Sequence, residues 1–373
     1  MQKKKRIKKK KNYEKLSPLF YVFAGLALLS CVLLILAWCS TAFANGYNST
    51  VGAFVRELLA HLTSWLPFSL AEILLYLSPV VMVLVAIYAC RVRCRTAKST
   101  WVFIATAVAS CSVIFSLFVL GFGIGYHTDP LDQRLELKTG DVTKEELVET
   151  AVWLAEEVNK AANGVSFGEN GFSIMPYDRE EMCDKLLAAY DLVCDDVAFI
   201  QRLDSSIKPV LASEVMSHMH ITGVYSFFTG EANLNVNFPD YTLPYTAAHE
   251  LAHQRGVARE NEANFIAFLV ATRSDDVYIR YSGYLNLLEY VVNALYRVDA
   301  EQYRAVLKSL DPRVIGELKA YSAFFDAYRD SAISNVSGAV NDAYLKLNGN
   351  EAGRQSYGLV VDLAVAYKKT YIP

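Results

Sequence analysis

Cysteine is nearly missing from the larger part of this 373-residue chain. Five of its seven cysteines, Cys31, Cys39, Cys90, Cys94 and Cys111, fall within the first 125 residues, leaving Cys183 and Cys194 for the remaining 248. No cysteine spacing fits a zinc knuckle or a catalytic thiol site. If Cys183 and Cys194 share one helix, eleven residues hold them about 16 Å apart, too far for a disulfide, so two reduced thiols are expected. Internal repeats are absent, and low complexity is confined to the basic start. Positive charge is also scarce after Gly125, where 22 Lys and Arg face 36 Asp and Glu, a net of −14. That excludes nucleic acid as a partner for this part on electrostatic grounds. It is long enough to bury a core of its own.

The long apolar runs lie before it. Leu16–Ser40, about 69–90 (tolerating Glu72) and about 101–125 each have the length and composition to cross a bilayer. The length of the first run and the two spans after it argue against a cleaved signal peptide. Lys3, Lys4, Lys5, Arg6 and Lys8–Lys11 precede the first span, and Arg91, Arg93, Arg95 and Lys98 separate the second from the third. Residues 41–68 carry only Arg56 as a fixed positive charge. Both basic segments are therefore expected in the cytoplasm, with everything after about residue 125 outside the cytoplasmic membrane. The expected division is a basic cytoplasmic N-terminus (1–15), a membrane region (16–125), a linker (126–141) and an extracytoplasmic domain (142–373).

Histidine is scarce too, at six residues, yet two stand four apart in His249-Glu250-Leu251-Ala252-His253. On a helix these share one face, so both imidazoles can bind one zinc while Glu250 reaches a water as general base. Such a site needs a third protein ligand. Gly256 suits a left-handed helix end, and an apolar helix is expected from about Ala258 to Ala271. Glu260 and Glu262 are the donors it offers. Glu262 shares a face with Phe265, Ile266 and Leu269, and an inward carboxylate is costly unless paired or metal-bound, which favours Glu262. Pro244 suits the start of the pentad helix.

The pentad, its glycine turn and the Glu-x-Glu-Ala-Asn segment together resemble the zincin-type metallopeptidases. Most of the chain resembles a bacterial family, domain of unknown function 3810, in which membrane helices precede one pentad-bearing domain. The resemblance is sharpest from about Ile221 to Leu269. It implies Zn²⁺ held by His249, His253 and Glu262, with Glu250 as catalytic base. The Glu-Ala-Asn placement is also similar to that of repressor-cleaving metallopeptidases, where the gap to the glutamate is longer. Arg259 stands where a metzincin would have its third histidine, which rejects that class.

Elsewhere Thr143-Lys144-Glu145-Glu146 is a capping box that opens a helix to about Ala162. Helical patterns cover Glu180–Leu203, Val277–Leu310, Pro312–Leu347 and Tyr357–Tyr371. Strands are expected at about 171–176 and 221–238, where Ala232, Leu234, Val236 and Phe238 alternate as on a half-buried strand. Such a strand can hold an extended peptide. His218 or His220 is a candidate transition-state donor, and Tyr278, Tyr281 or Tyr284 a candidate oxyanion donor. The expected architecture is mainly helical α+β, with three N-terminal transmembrane helices followed by a zincin-like domain with a small sheet. The expected function is a membrane-anchored zinc metallopeptidase acting on a peptide or protein outside the membrane. The alternative is an inactive domain that binds envelope proteins or peptides. An intramembrane protease is disfavoured, because the pentad begins more than 120 residues after the last span and polar residues follow it.

Overall fold

A computed structural model describes residues 14–329, 331–347 and 359–372, so the basic run Lys3–Lys11 and Tyr357 lie outside the described residues. Helix α1 (Pro18–Cys39) opens on the Ser17 side chain, which accepts the Phe20 amide, with Pro18 in its first turn. Two short helices follow, α2 (Thr41–Ser49) and α3 (Val51–Ser64). Next come α4 (Leu70–Tyr88), capped by Ser69, and α5 (Ala97–Gly121), opened by a Thr96–Ser99 capping box. Three segments are long and apolar enough to cross a membrane: Pro18–Cys39, Leu70–Arg93 and Ala97–Gly121. The third both begins and ends four residues before the expected 101–125, because the chain turns into a short 3₁₀ helix (Gly123–His127) after Phe122. Leu75, Val80, Val81, Met82 and Leu84 on α4 are more than half exposed, an apolar surface suited to lipid.

The remaining helices are α6 (Leu131–Arg134), α7 (Lys144–Ala162), α8 (Arg179–Asp196), α9 (Ser213–His218), α10 (Leu243–Gln254), α11 (Glu260–Arg273) and α12 (Val277–Val298). After them come α13 (Ala300–Ser309), α14 (Pro312–Asp326), α15 (Ala332–Leu347) and α16 (Leu359–Tyr371). Leu154, Val158, Leu186, Phe265, Phe268, Leu288 and Val361, from α7, α8, α11, α12 and α16, share one core. The capping box at Thr143 forms as expected. The run expected as one helix from Val277 to Leu310 breaks at Asp299, whose carboxylate caps α13. Cys183 and Cys194 are free thiols on the single helix α8.

Three strands form a sheet of order β1-β3-β2. β1 (Ile207–Pro209) runs parallel to β3 (Glu231–Leu234), pairing Ile207 with Ala232, and β2 (Gly223–Ser226) runs antiparallel to it, pairing Gly223 with Leu234. The sheet departs from expectation in three ways. β1 was not foreseen, residues 171–176 contribute only the bridge Phe167–Ser173, and β3 ends at Leu234. Nor is β3 half-buried: all four residues are buried, because Glu231 and Asn233 on the polar face have partners. Glu231 accepts the Leu70 and Ala71 amides at the start of α4, each at 2.9 Å, and the Asn233 amide donates to Val224 O. Alternation alone cannot distinguish a solvated polar face from one paired to a neighbouring element.

The membrane helices and the domain are joined by many such contacts. Glu72 accepts the Leu211 and Ala212 amides, both at 2.8 Å, and Lys208 donates to the carbonyls of Ser64 and Leu66. Thr63 Oγ1 donates to Thr229 O and the Gln201 amide to Ala53 O. Within 126–141, Tyr126, Leu131 and Leu137 are buried. That stretch, read from sequence as a linker, is packed into the fold.

Candidate metal centre

Helix α10 carries the pentad. Pro244 stands in its first turn and the Tyr245 amide donates to the Ser282 hydroxyl. Leu243, Ala247, Ala248, Leu251 and Ala252 are buried, which leaves one face for the histidines. The helix ends at Gly256, whose φ of +92° lets its amide return to His253 O while Val257 N reaches Ala252 O. Two side chains fix the end of the helix. Gln254 accepts the Ser205 hydroxyl and donates to Gly230 O, while Arg255 donates to Leu203 O and lies 4.1 Å from the Tyr190 ring centroid.

The turn brings α11 back so that His249, His253 and Glu260 converge, with one donor atom from each within 4.8 Å of the others. The two Nε2 atoms are 3.0 Å apart, and Glu260 oxygens lie 3.3 Å from His249 Nε2 and 3.6 Å from His253 Nε2. Tetrahedral zinc with bonds of about 2.0–2.2 Å sets donor–donor edges of about 3.3–3.6 Å. The Glu260 oxygens stand at that spacing from the two nitrogens, which are a few tenths of an ångström closer to each other, so the group could hold such an ion after a small adjustment. His253 Nδ1 lies 2.7 Å from Val257 O, the outer hydrogen bond that orients a metal-binding imidazole. The matching His249 Nδ1 is buried without a partner among the described residues.

Glu262, the expected third ligand, is elsewhere. Its carboxylate takes the Arg259 guanidinium at 2.7 Å and the Leu131 amide at 3.0 Å. The apolar-face argument correctly turned it inward but assumed that a metal would satisfy it, whereas an arginine does. Glu260, first residue of α11, is the carboxylate that reaches the histidines.

Burial works against a charged His253, but Glu260 outweighs it and carries the pKa up to about 9. Burial likewise opposes ionised Glu260, and the two histidines overcome it, holding the carboxyl far below its usual range. Glu250 is 4% exposed. Burial raises its pKa, while the histidines and the Tyr225 backbone amide pull it down. Its carboxylate packs on Gly223, where an added Cβ would sit 2.6 Å from Oε1. The edge strand β2 thus lies directly against the pentad glutamate.

The other candidates lie away from the cluster. His220 Nε2 contacts Tyr328 O at 2.8 Å and His218 packs on the Tyr328 ring. Tyr278 and Tyr281 bond to Ser173 and Glu317, and Tyr284 packs against Trp153 and Phe268. Sequence reasoning missed Phe122, whose ring meets His253 edge-on at 5.6 Å, and Gly223, Tyr225 and Arg56. Only the lone cation of residues 41–68 hinted at any of these.

The chain matches the family described as Protein of unknown function (DUF3810) over residues 47–365. It belongs to that family. The family match covers α3 to α15 and the first half of α16, and therefore the membrane helices α4 and α5 as well as the histidine–glutamate cluster. No curated protein and no solved structure matches the chain.

Proposed function

We propose that the protein is a membrane-anchored zinc metallopeptidase, with His249, His253 and Glu260 as ligands and Glu250 as general acid–base. The observation that carries this reading is the convergence of two histidines from α10 with Glu260 from α11, beside a second carboxylate, Glu250, on α10. Zinc there would supply Lewis-acid chemistry, acidifying water and polarising a peptide carbonyl. Glu250 would accept the water's proton and return it to the departing amine. Burial lifts the Glu250 pKa while the histidines and the Tyr225 amide restrain it, and a raised pKa is the direction that helps a carboxylate take the water's proton. The strand β2 pairs on one side only and offers an extended peptide a place to add beside Glu250. The basic residues flanking the spans favour a domain outside the cytoplasmic membrane.

The test is Glu250→Gln in the purified full-length protein. Zinc content should equal wild type, and turnover of a quenched-fluorescence peptide library should fall about 10²–10⁴-fold. Equal turnover by the two proteins would leave a metal-bearing binding domain as the better reading.

A further inference from the structure

We infer that the substrate of this site is polypeptide anchored in the same bilayer, cut a few residues from where it leaves the membrane; this rests on the peptidase reading above. Helix α5 ends at Gly121, and the next residue, Phe122, packs on the ligand His253. The turn joining α10 to α11 lies on the 3₁₀ segment that crowns this span. A Cβ at Gly125 would stand 3.0 Å from Ala258 Cβ and 3.2 Å from Gly256 O, and Arg259 donates to Tyr126 O and Thr128 O. From α2, the Asn48 amide donates to Gly256 O.

The same end of the membrane bundle carries Trp38 at the close of α1 and Trp65 just before α4, 79% and 75% exposed. Such tryptophans mark the headgroup level. The polar layer on each side of the hydrocarbon is only about 5–8 Å deep. A domain of this length has a radius of gyration of about 18 Å, so it rises some 35 Å or more from the surface. The metal centre therefore occupies the base of the domain, beside the lipid headgroups. A folded soluble protein would have to be drawn between domain and bilayer to reach it, whereas a segment tethered by a helix or an acyl chain emerges at that level.

The strand β2 gives the direction. It starts at Gly223, against Glu250, and leads to Phe227, whose ring lies 5.2 Å from that of Phe118 inside span α5. An extended peptide laid along β2 runs from the reacting carboxylate to the membrane. Four residues at about 3.4 Å each cover about 14 Å. The cut bond is accordingly placed about four to eight residues from the anchor.

The test uses the full-length protein in phosphatidylcholine liposomes with two pools of randomised 12-residue peptides, identical except for an N-terminal palmitoyl or acetyl group. Fragments are read by mass spectrometry against Glu250→Gln. The palmitoylated pool should be cut at least about 10-fold faster, from raised local concentration, with cuts clustered four to eight residues from the lipid. Equal rates, or cuts with no positional preference, would overturn the inference while leaving the peptidase reading intact. Cutting of neither pool above the Glu250→Gln background counts against the peptidase reading, and location is then decided separately with Co²⁺. Cobalt bound one per chain should broaden the lipid ³¹P signal, and the broadening should vanish in Glu260→Gln. Bound cobalt without broadening would refute the placement at the headgroups. Failure to bind cobalt would remove the metal reading and this inference together.

Discussion

The Arg56 guanidinium fills the space a side chain would need at Gly256: a Cβ there would lie 2.6 Å from Arg56 Cζ. Arg56 is 1% exposed and donates to Asn48 Oδ1, Asn48 O and Gly121 O, while Asn48 donates to Gly256 O. An arginine on α3, between the first two spans, thus locks the turn that follows His253, and Val257 O in that turn orients the His253 ring. Gly256→Ala meets both a φ of +92° and this guanidinium. Thermal unfolding in detergent should report a loss of about 2–4 kcal/mol, with weaker zinc binding in the protein that remains folded. Arg56→Ala should cost at least as much, about 3–5 kcal/mol, because it strips buried carbonyls of their donor. Wild-type stability in both variants would show that the turn is held by something else.

Glu260 and Glu262 separate metal binding from folding. Glu260→Gln should lose most bound zinc, measured by atomic absorption. Glu262→Gln should keep the zinc and lose about 1–3 kcal/mol, since it weakens a buried carboxylate's bonds to Arg259 and the Leu131 amide. The opposite pattern would restore Glu262 as the ligand.

Residues set by local periodicity were legible in the sequence; those set by long-range pairing were not. The spans, the Thr143 cap, the pentad helix and the glycine turn each follow from patterns within one or two turns of chain. Periodicity also placed Glu262 inward, but its partners include Leu131, 131 positions away, and no local pattern encodes that contact. β1 escaped notice because three residues are too few to show alternation, and it forms by pairing with a strand more than twenty residues on. Arg56 was legible only as the one fixed positive charge of residues 41–68. Its role emerges from a glycine two hundred positions later.

Membrane orientation is open to a direct measurement. With Arg91, Arg93, Arg95 and Lys98 at one end of α4 and α5, the C-terminal domain is expected on the opposite face. A reporter that fluoresces only in the cytoplasm, fused after Pro373, should stay dark, and one inserted at Lys98 should glow. A bright C-terminal fusion would place the His249–His253–Glu260 cluster in the cytoplasm.

Glu289 supplies a pH dependence that has nothing to do with catalysis. It sits on α12 and accepts the Tyr241 hydroxyl at 3.1 Å. Burial pushes its pKa up to about 7; the Tyr241 bond restrains it and nearby Glu317 adds to the rise. A carboxyl that ionises near 4.5 in the unfolded chain and near 7 in the folded one binds more protons when folded throughout that interval. Stability must therefore fall as pH rises from about 4.5 to about 7, and stay lowered above it. The full difference is worth about 3 kcal/mol, at 1.36 kcal/mol for each of about 2.5 pKa units. Glu289→Gln keeps an acceptor for Tyr241 and cannot ionise, so it should melt close to wild type at pH 5 and several degrees higher at pH 8. The widening gap between the two melting curves is the readout. Parallel curves across that range would mean that Glu289 ionises as easily in the folded protein as in the unfolded chain, and that its burial beside Glu317 costs nothing.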